Sequence, residues 1–283
     1  MSGRLLLGTH TFAATGEGGR RQAAALASLR TLTDVEIVNV QFADAPHNVD
    51  GVRTLPVLRQ DSITATARRG ARKPLVSGIL AALKSEAAAL DLPYFCFFNA
   101  DIVLSQAAVH RILRGGHEAY VLFREDYDGA TGQSLGMQLG GVDAVAVSTA
   151  WWERNGARFR PYILGEPTWD NVYAAILLCH ADAVVENRPG MLRHEAHASV
   201  WTSGSPFAQY TRLLAAQDAG YFHLWCVYWD GLTRMRREGA GPGQEAALAK
   251  QVFVWQPSIA ARAIQAGRVL KARLRYGWRQ AGP

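Results

Sequence analysis

A polar tripeptide interrupts the most apolar segment of the chain. The run Tyr94–Leu104 (YFCFFNADIVL) predicts a central β-strand that ends at Asn99, Ala100 and Asp101. In open parallel sheets, ligands bind beyond the carboxyl ends of the strands, where a carboxylate can hold Mg²⁺ or Mn²⁺ against a diphosphate. Asp101 is therefore a candidate metal ligand. The alternative is that Asn99 and Asp101 only end the strand and cap the next element.

Two histidines lie three positions apart in the segment LRHEAHA, at His194 and His197. On a helix or turn this spacing places both imidazoles on one side, which suits a shared metal ion or a diphosphate. The spacing differs from HExxH, so a zinc-protease site is excluded. An ordinary pair of surface histidines is the alternative.

A carboxylate is predicted at the start of a helix. Residues Thr168–Cys179 predict a helix with Thr168 as its N-cap, which places Asp170 in the first turn. An acid there interacts favourably with the helix dipole, and this explains Asp170 without any chemistry. A carboxylate in such a place can also act as a general base for a hydroxyl nucleophile. Glu166 is the alternative base.

Basic residues precede another predicted helix, Pro74–Leu90. They are Arg68, Arg69, Arg72 and Lys73. Backbone N–H groups at a helix start favour anions, and basic side chains add charge, so Arg72 and Lys73 are candidate phosphate ligands. A solvated basic loop is the alternative.

Three tryptophans flank the predicted base, at Trp151, Trp152 and Trp169. Indole rings can stack on the faces of sugars, which makes these residues candidates for binding a sugar acceptor. Clusters of aromatic side chains are nevertheless more often part of a core.

The elements around these residues predict an α/β fold. Arg4–Thr9 and Val35–Phe42 are typical of buried strands, and Arg20–Leu32 between them is rich in helix formers after the Gly-rich turn Gly16–Gly19. Strand–helix–strand order is typical of a parallel sheet with helical crossovers. Further strands are predicted at Ala119–Arg124, Val142–Ser148 and Ala183–Glu186, and later helices at Ser205–Gln217 and Tyr221–Met235.

The composition narrows the class of protein. With 283 residues, 49% of them hydrophobic, the chain can bury a sizeable core. No segment reaches the roughly 18 uncharged apolar residues of a membrane-spanning helix, and the N-terminus lacks the apolar core of a signal peptide. The three cysteines are scattered and form no CxxC pair, so neither a zinc knuckle nor a disulfide framework is indicated. A cytoplasmic location is expected.

The C-terminal end is strongly basic. Residues 256–283 contain Arg or Lys at six positions and no acid. Ser258–Arg279 predicts a basic amphipathic helix, separated by a flexible break at Arg237–Gln244 from a main domain of residues 1–236. Such a helix suits an anionic membrane surface, which would place the protein peripherally on the inner face of the membrane. The alternative is that it packs against the main domain.

Four segments, in order, resemble those of GT-A-fold glycosyltransferases. FFNADIVL is similar to their DXD region, especially to the N-[AS]-D-[IL] variant of a bacterial and plant group of nucleotide-diphospho-sugar transferases. GVDAVAVSTAWWER, LGEPTWDNVYAAILL and LRHEAHA resemble later segments of that group, so the resemblance runs from about Leu5 to about His197. The chain departs from the pattern at Asn99, where a standard DXD has Asp, and at Ala198, where the group usually has Asp.

The resemblance implies a GT-A-like (Rossmann-like) fold, with a mixed, mainly parallel sheet flanked by helices and here a C-terminal helical extension. It implies a metal-dependent enzyme that uses Mn²⁺ or Mg²⁺. Such an enzyme moves a sugar from a UDP- or GDP-type donor to a glycan or lipid-linked acceptor, as in cell-surface polysaccharide assembly.

The resemblance also implies roles for single residues on the donor side. Asp101 binds the metal, a late histidine such as His194 joins it, and His197 contacts the metal, phosphate or acceptor. Asn99 or Ala100 lies against the donor ribose. The segment with Thr9 and Thr11 after the first strand holds the nucleotide, and Arg72 and Lys73 border the donor.

On the acceptor side, the resemblance makes Asp170 the base of an inverting reaction, because inverting GT-A enzymes place an acid at the start of this helix. Two rivals remain: a sugar nucleotidyltransferase, which usually has a G-x-G-T-R-like signature after the first strand, and an inactive nucleotide-sugar-binding relic. Asn99 and the missing acid after His197 favour the relic. Neither a helix-turn-helix nor an RNA-recognition signature is present, so a nucleic-acid partner is not expected.

Overall fold

The computed structural model describes residues 3–197, 204–253 and residue 267. The described residues belong to two compact units. The first unit contains residues 3–59, 78–157 and 181–197, and the second contains residues 60–77, 158–180 and 204–253. None of the helices in these ranges is long and apolar enough to cross a membrane. The predicted basic helix Ser258–Arg279 lies, apart from residue 267, outside the described residues.

A seven-stranded sheet is the centre of the first unit. Its strands are β1 (Leu5–Thr9), β2 (Val35–Phe42), β3 (Arg53–Leu58), β4 (Tyr94–Phe98), β6 (Ala119–Leu122), β9 (Ala144–Ser148) and β10 (Ala183–Glu186). Their order is β10-β6-β9-β4-β1-β2-β3. Only β9 runs antiparallel to its neighbours, β4 and β6, so the predicted mixed, mainly parallel sheet is confirmed.

Helices of the first unit cover both faces of this sheet. They are α1 (Gly16–Leu29), α3 (Val76–Ala89), α4 (Gln106–Arg114) and α5 (Thr149–Asn155). Leucines of β1 share a core cluster with α1 and α4. On the opposite face Phe95 of β4 packs edge-on against Trp152 of α5, with ring centroids 5.6 Å apart. Alternate strand residues thus serve opposite cores, as the two-residue period of a strand requires.

A second, four-stranded sheet lies within the same unit. Its order is β5-β11-β7-β8, from β5 (Ile102–Leu104), β7 (Arg124–Tyr127), β8 (Ser134–Gln138) and β11 (Leu192–Glu195). β4 ends at Phe98, directly before Asn99, so the predicted end of the central strand is confirmed. At Asn99–Asp101 the chain passes from one sheet to the other, where it forms β5, a strand that the sequence did not predict separately. The sequence did not predict β7 and β8, because their polar residues lack an apolar alternation.

The described part of the second unit is mainly helical. It contains α2 (Ser62–Thr66), α6 (Trp169–His180), α7 (Ala208–Gln217), α8 (Ala219–Arg237) and α9 (Pro242–Phe253), and a short 3₁₀ helix lies at Gly156–Arg158. Helix α6 contacts α8, and α8 contacts α9. The buried Asp218 carboxylate joins two chain segments, because it accepts hydrogen bonds from Arg160 Nε (3.0 Å) and from the Tyr162 hydroxyl (3.1 Å).

Three local predictions differ from the structure. The expected turn Gly16–Gly19 is the first turn of α1, and residues 43–72, for which no element is predicted above, contain β3 and α2. The break Arg237–Gln244 is interrupted where α9 begins at Pro242, since proline is well suited to the first turn of a helix. An ion pair of Arg236 with Glu245 (2.6 Å) then joins α8 to α9.

Helix α3 approaches β1 closely at Gly8, which yields a test of this packing. A Cβ atom at position 8 would lie 2.9 Å from Cγ of the buried Leu83 and closer still to its methyl groups. We expect Gly8→Ala to lower the free energy of unfolding by about 1–3 kcal/mol, the usual cost of overpacking a core.

Gly78 of α3 is the matched control, because a Cβ there would make an ordinary contact, 3.7 Å from Leu58 Cδ2. Gly78→Ala should be neutral or stabilise the protein by up to about 1 kcal/mol through helix propensity. Chemical denaturation of both variants measures the difference, and equal effects would contradict the close approach of α3 to β1.

Candidate functional site

Three predicted ligands come together in the first unit. Nε2 of His194 lies 3.4 Å from Oδ2 of Asp101 and 3.2 Å from Nε2 of His197. Nε2 of His197 lies 3.6 Å from the same Asp101 oxygen. These three atoms form a small triangle that suits one metal ion. We refer to Asp101, His194 and His197 as the cation cluster.

The size of this triangle fits a bound cation. Ligand atoms at about 2.1 Å from one ion, with angles of about 90–110° between them, lie about 3.0–3.5 Å apart. The three separations in the cation cluster, 3.2, 3.4 and 3.6 Å, are close to that range. Two imidazole nitrogens and one carboxylate oxygen are ordinary ligands of a divalent transition metal.

The strand register of the four-stranded sheet determines where the cation cluster lies. His194 lies on β11, opposite Ile102 of β5 on one side and opposite Asp126 of β7 on the other. Asp101 directly precedes Ile102, so it lies beside His194. The sequence predicted that the histidine pair would lie on a helix or turn. The structure corrects this for His194, which is on a strand, and His197 follows the end of that strand.

Burial and hydrogen bonding have opposite effects on the pKa values of Asp101 and His194. Burial disfavours the ionised form of Asp101, but the hydrogen bond and charge of His194 outweigh it and lower the pKa of this carboxyl. Burial likewise favours neutral His194, yet its hydrogen bonds to Asp101 and Asp126 raise the pKa of this imidazole. A metal ion competes with the proton for the same lone pairs.

Asn99 is hydrogen-bonded to Asp143, which lies near the cation cluster. Its side-chain amide donates to Oδ1 of Asp143 (2.9 Å), and its backbone N–H donates to the Asp143 carbonyl (3.0 Å). Arg124 donates to both oxygens of that carboxylate, each at 2.9 Å, and to Asp126 at 2.8 Å. Sequence reasoning missed Arg124, Asp126 and Asp143. The only sequence signal was the alternation of Arg124 and Asp126, which places both on one face of β7.

The predicted nucleotide segment lies in a buried polar network at the carboxyl ends of β1 and β2. Thr9 and Thr11 are fully or almost fully buried. The backbone N–H of Thr11 donates to Asn39 Oδ1 (3.0 Å), and its carbonyl accepts from Gln41 Nε2 (2.8 Å). Asn39 and Gln41 were missed because they lie in an otherwise apolar strand sequence. They hold the chain after β1 in a defined place.

The two predicted phosphate ligands lie in the second unit, and both pair with buried carboxylates. Nε of Arg72 donates to Asp61 (2.7 Å), and Nζ of Lys73 donates to Oε1 of Glu166 (2.8 Å). Ser205 also donates to this oxygen, at 2.8 Å. Glu166, the alternative base, is thus an ion-paired carboxylate that is only 3% exposed.

Asp170 lies in the first turn of α6, as predicted, and is buried. Thr168 is not an ordinary N-cap, because its φ of 87° is in the left-handed region whereas N-cap residues have extended backbones. The backbone N–H of Val172 donates to the Thr168 carbonyl at 3.0 Å, so the first hydrogen bond of α6 starts from a residue with a strained backbone, Thr168.

The tryptophans predicted to bind an acceptor are core residues. Trp151 and Trp152 of α5 are 1% and 7% exposed, and Trp169 of α6 is 6% exposed. Such burial leaves no open ring face for a sugar, so the stacking role predicted for them is not supported by their placement. Their size and apolar surface explain why these side chains are buried in a core.

The predicted site residues thus divide between the two units. Asp101, His194 and His197 lie in the first unit with Asn99, Ala100, Thr9 and Thr11. Arg72, Lys73, Glu166 and Asp170 lie in the second unit. The structure brings the predicted metal ligands together in the first unit and pairs Lys73 with Glu166 in the second.

Comparisons with known proteins concern the fold. No protein-family model matches the chain, and no curated protein matches it. The crystal structure of S. aureus TarS 1–349 in complex with UDP-GlcNAc is similar over 98% of this chain and 93% of that chain, with a TM-score of 0.51 and 12% sequence identity.

Two further solved structures show weaker similarity. Another crystal structure of S. aureus TarS 1–349 has a TM-score of 0.47 at 12% identity, over 96% of this chain and 91% of that chain. The mannosyltransferase PcManGT from Pyrobaculum calidifontis, in complex with GDP-Man and Mn²⁺, has a TM-score of 0.40 at 13% identity, over 98% of this chain and 76% of that chain. Taken with the mixed sheet, the first similarity confirms the predicted GT-A-like α/β fold class.

The pairing of Lys73 with Glu166 yields a stability test. Lys73→Met keeps most of the apolar stem but leaves the buried Glu166 carboxylate with Ser205 as a remaining donor. We expect the free energy of unfolding to fall by about 1–3 kcal/mol, the cost of a buried group that loses its partner.

Lys84→Met is the control, because Lys84 pairs with Glu153, whose side chain is 65% exposed. Loss of such a surface pair costs less than about 1 kcal/mol. Denaturant titration of both variants measures the difference. A Lys73→Met variant as stable as Lys84→Met would show that Glu166 does not need its ammonium partner.

Proposed function

We propose that this protein is a glycosyltransferase that moves a sugar from a nucleoside-diphosphate donor to a hydroxyl acceptor. The observation that supports this best is the cation cluster, Asp101, His194 and His197, beyond the carboxyl end of β4. In sheets of this kind that edge is where ligands bind. TarS, with which the chain shares its fold, is in complex with UDP-GlcNAc, which supports a UDP-type donor; a GDP-type donor is the alternative.

The cation cluster would hold the metal through Oδ2 of Asp101 and Nε2 of His194 and His197. When bound, the cation supplies positive charge that stabilises the departing diphosphate. A set with two nitrogen ligands favours Mn²⁺ over Mg²⁺, because Mg²⁺ prefers oxygen ligands.

The remaining donor contacts are assigned by position. We place the nucleotide against the chain segment of Thr9 and Thr11 at the end of β1, where Asn39 and Gln41 hold the backbone of Thr11, and the ribose against Asn99 or Ala100. Arg72 and Lys73 would add positive charge for the phosphates; each of these side chains remains about one-third exposed beside its carboxylate partner.

Asp170 is the proposed general base. Its carboxylate would accept the proton of the acceptor hydroxyl as the oxygen attacks the anomeric carbon, which is the chemistry of an inverting transfer. Oε1 of Glu166 already accepts from two donors, so Glu166 is less available for this role. A glycan or lipid-linked acceptor in surface-polysaccharide assembly remains part of the proposal.

A donor screen tests the proposed function directly. The protein is incubated with UDP- and GDP-sugars in the presence of Mn²⁺, and the released nucleoside diphosphate is measured. Release from at least one donor is expected. Binding of nucleotide without release from any donor would instead indicate a nucleotide-sugar-binding relic.

The metal assignment predicts that Asp101→Ala abolishes specific Mn²⁺ binding and that His197→Ala weakens it, with the fold retained. Mn²⁺ affinity is measured by electron paramagnetic resonance or calorimetry, and Mg²⁺ should bind more weakly to the wild type. Asp230→Ala, at an exposed position of α8, controls for the loss of a negative charge and should bind Mn²⁺ normally. Unchanged Mn²⁺ binding by Asp101→Ala would exclude Asp101 as a ligand.

The base assignment predicts that Asp170→Asn lowers turnover by roughly 10²–10⁴-fold, the usual contribution of general base catalysis. Donor affinity should be nearly unchanged, because the loss belongs to the chemical step. Glu17→Gln, which alters an exposed acid in the first turn of α1, should leave turnover unchanged. Near-normal turnover of Asp170→Asn would return Asp170 to a purely helix-stabilising role.

A further inference from the structure

A line of hydrogen-bonded polar side chains, half-buried at Asn99, Arg124 and Asp126 and buried at Asp143, runs from the cation cluster into the first unit. Nδ1 of His194 lies 3.0 Å from Oδ1 of Asp126, and that same oxygen accepts from Nε of Arg124 at 2.8 Å. Arg124 continues to both oxygens of Asp143, each at 2.9 Å, and Asp143 accepts from Asn99 at 2.9 Å. We call Asn99, Asp143, Arg124 and Asp126 the supporting chain.

The first link of this chain decides which nitrogen of His194 faces the cluster. An ionised carboxylate can only accept hydrogen bonds, so Nδ1 of His194 must carry the hydrogen that Asp126 receives. A bound cation would displace the proton that Nε2 shares with Asp101, and the lone pair of the neutral ring is then on Nε2. That atom is the one directed at Asp101, 3.4 Å away, and at His197, 3.2 Å away.

The second link keeps Asp126 in place. Arg124 and Asp126 lie two positions apart on β7 and therefore point to the same face of the small sheet. The Arg124 guanidinium is held in turn by both oxygens of Asp143, whose side chain is only 8% exposed. The guanidinium thus donates to Asp143 through Nη1 and to Asp126 through Nε, and this contact at two of its nitrogens limits the orientations open to Asp126.

The net charge of the cation cluster together with the supporting chain also suits a divalent cation. Asp101, Asp126 and Asp143 are three carboxylates, and Arg124 is, among the residues that the structure describes, the one arginine or lysine hydrogen-bonded to them. With neutral histidines the group has a net charge of −2. Burial of uncompensated charge is costly, so a divalent cation at the cluster would complete the balance.

We propose that Asp126 and Arg124 are positioning residues that orient His194 for the cation, and that Asn99 acts as the hydrogen-bond donor of Asp143 and not as a metal ligand. This rests on the proposed function only in that it takes the cluster to hold a divalent cation. Partners that orient a metal-bound histidine and raise its basicity contribute typically 10–100-fold to metal affinity.

The role of Asn99 has a consequence that distinguishes it from a ligand. An aspartate at position 99 could not donate to Asp143, and it would place one carboxylate at hydrogen-bond distance from another. Like charges at this separation disfavour ionisation of both. Asn99→Asp therefore adds an acid near the cluster but weakens the support of Arg124, and it should bind Mn²⁺ no more tightly than the wild type.

The test measures Mn²⁺ affinity of the full chain by electron paramagnetic resonance and, without metal, the tautomer of His194 by ¹⁵N nuclear magnetic resonance. Asp126→Ala should bind Mn²⁺ about 10–100-fold more weakly and lose the Nδ1–H tautomer. Asp126→Asn should lose less affinity and keep the tautomer, because Arg124 still needs an acceptor and holds the amide oxygen in place. If Asp126→Ala folds poorly, the Asp126→Asn variant provides the test instead.

Asp182→Asn is the matched control. Asp182 pairs with His117 in the same unit, with Oδ2 3.1 Å from Nδ1, but away from the supporting chain. This variant should bind Mn²⁺ like the wild type. Asp126→Ala with wild-type affinity and tautomer, or Asn99→Asp with tighter binding, would overturn the proposal, as would a wild type that does not bind Mn²⁺. A wild type that binds Mn²⁺ and transfers no sugar would overturn the proposed function alone.

Discussion

The pairing of β11 with β5 and β7 is the constraint on which the candidate site depends. His194 faces its neighbours only because it is in register with Ile102 on one side and Asp126 on the other. A shift of one residue in either pairing would turn every side chain of β11 to the opposite face of the sheet. The position of Asp101 next to His194 follows from the same register, since Asp101 is the residue before Ile102.

Electrostatics explains why the polar side chains beside His194 have such specific partners. Burial of a polar group without hydrogen-bond partners is costly, and Arg124 and Asn99 supply partners for the buried Asp143. Removing one member of such a group is expected to cost more than the group as a whole contributes, because it leaves an uncompensated charge. Rigid support of this kind is what a metal-binding histidine needs in order to present one defined nitrogen.

Buried carboxylates of the second unit follow the same rule. Three of them have a basic partner outside their own helix: Asp61 with Arg72, Glu166 with Lys73, and Asp218 with Arg160. Two of these basic residues were predicted as phosphate ligands from their charge and their place before a helix. Their structural pairing does not depend on a ligand, so charge alone could not distinguish the two roles.

Elements whose residue pattern is local could be predicted from the sequence. The apolar runs of β1, β2 and β4 lie where they were predicted. Residue types also singled out Asp101, His194 and His197 as potential ligands, because carboxylate and imidazole are recognisable wherever they occur.

The contacts of these residues could be read only from the three-dimensional structure. It divided Tyr94–Leu104 between two sheets, placed Trp151 and Trp152 in the core, and joined Arg124 and Asp126 to His194. The physical reason is that periodicity and propensity describe a residue's own segment, whereas strand register and the partner of a buried charge are set by residues far away in the chain. The partners of His194, 68 and 93 positions away at Asp126 and Asp101, are of that second kind.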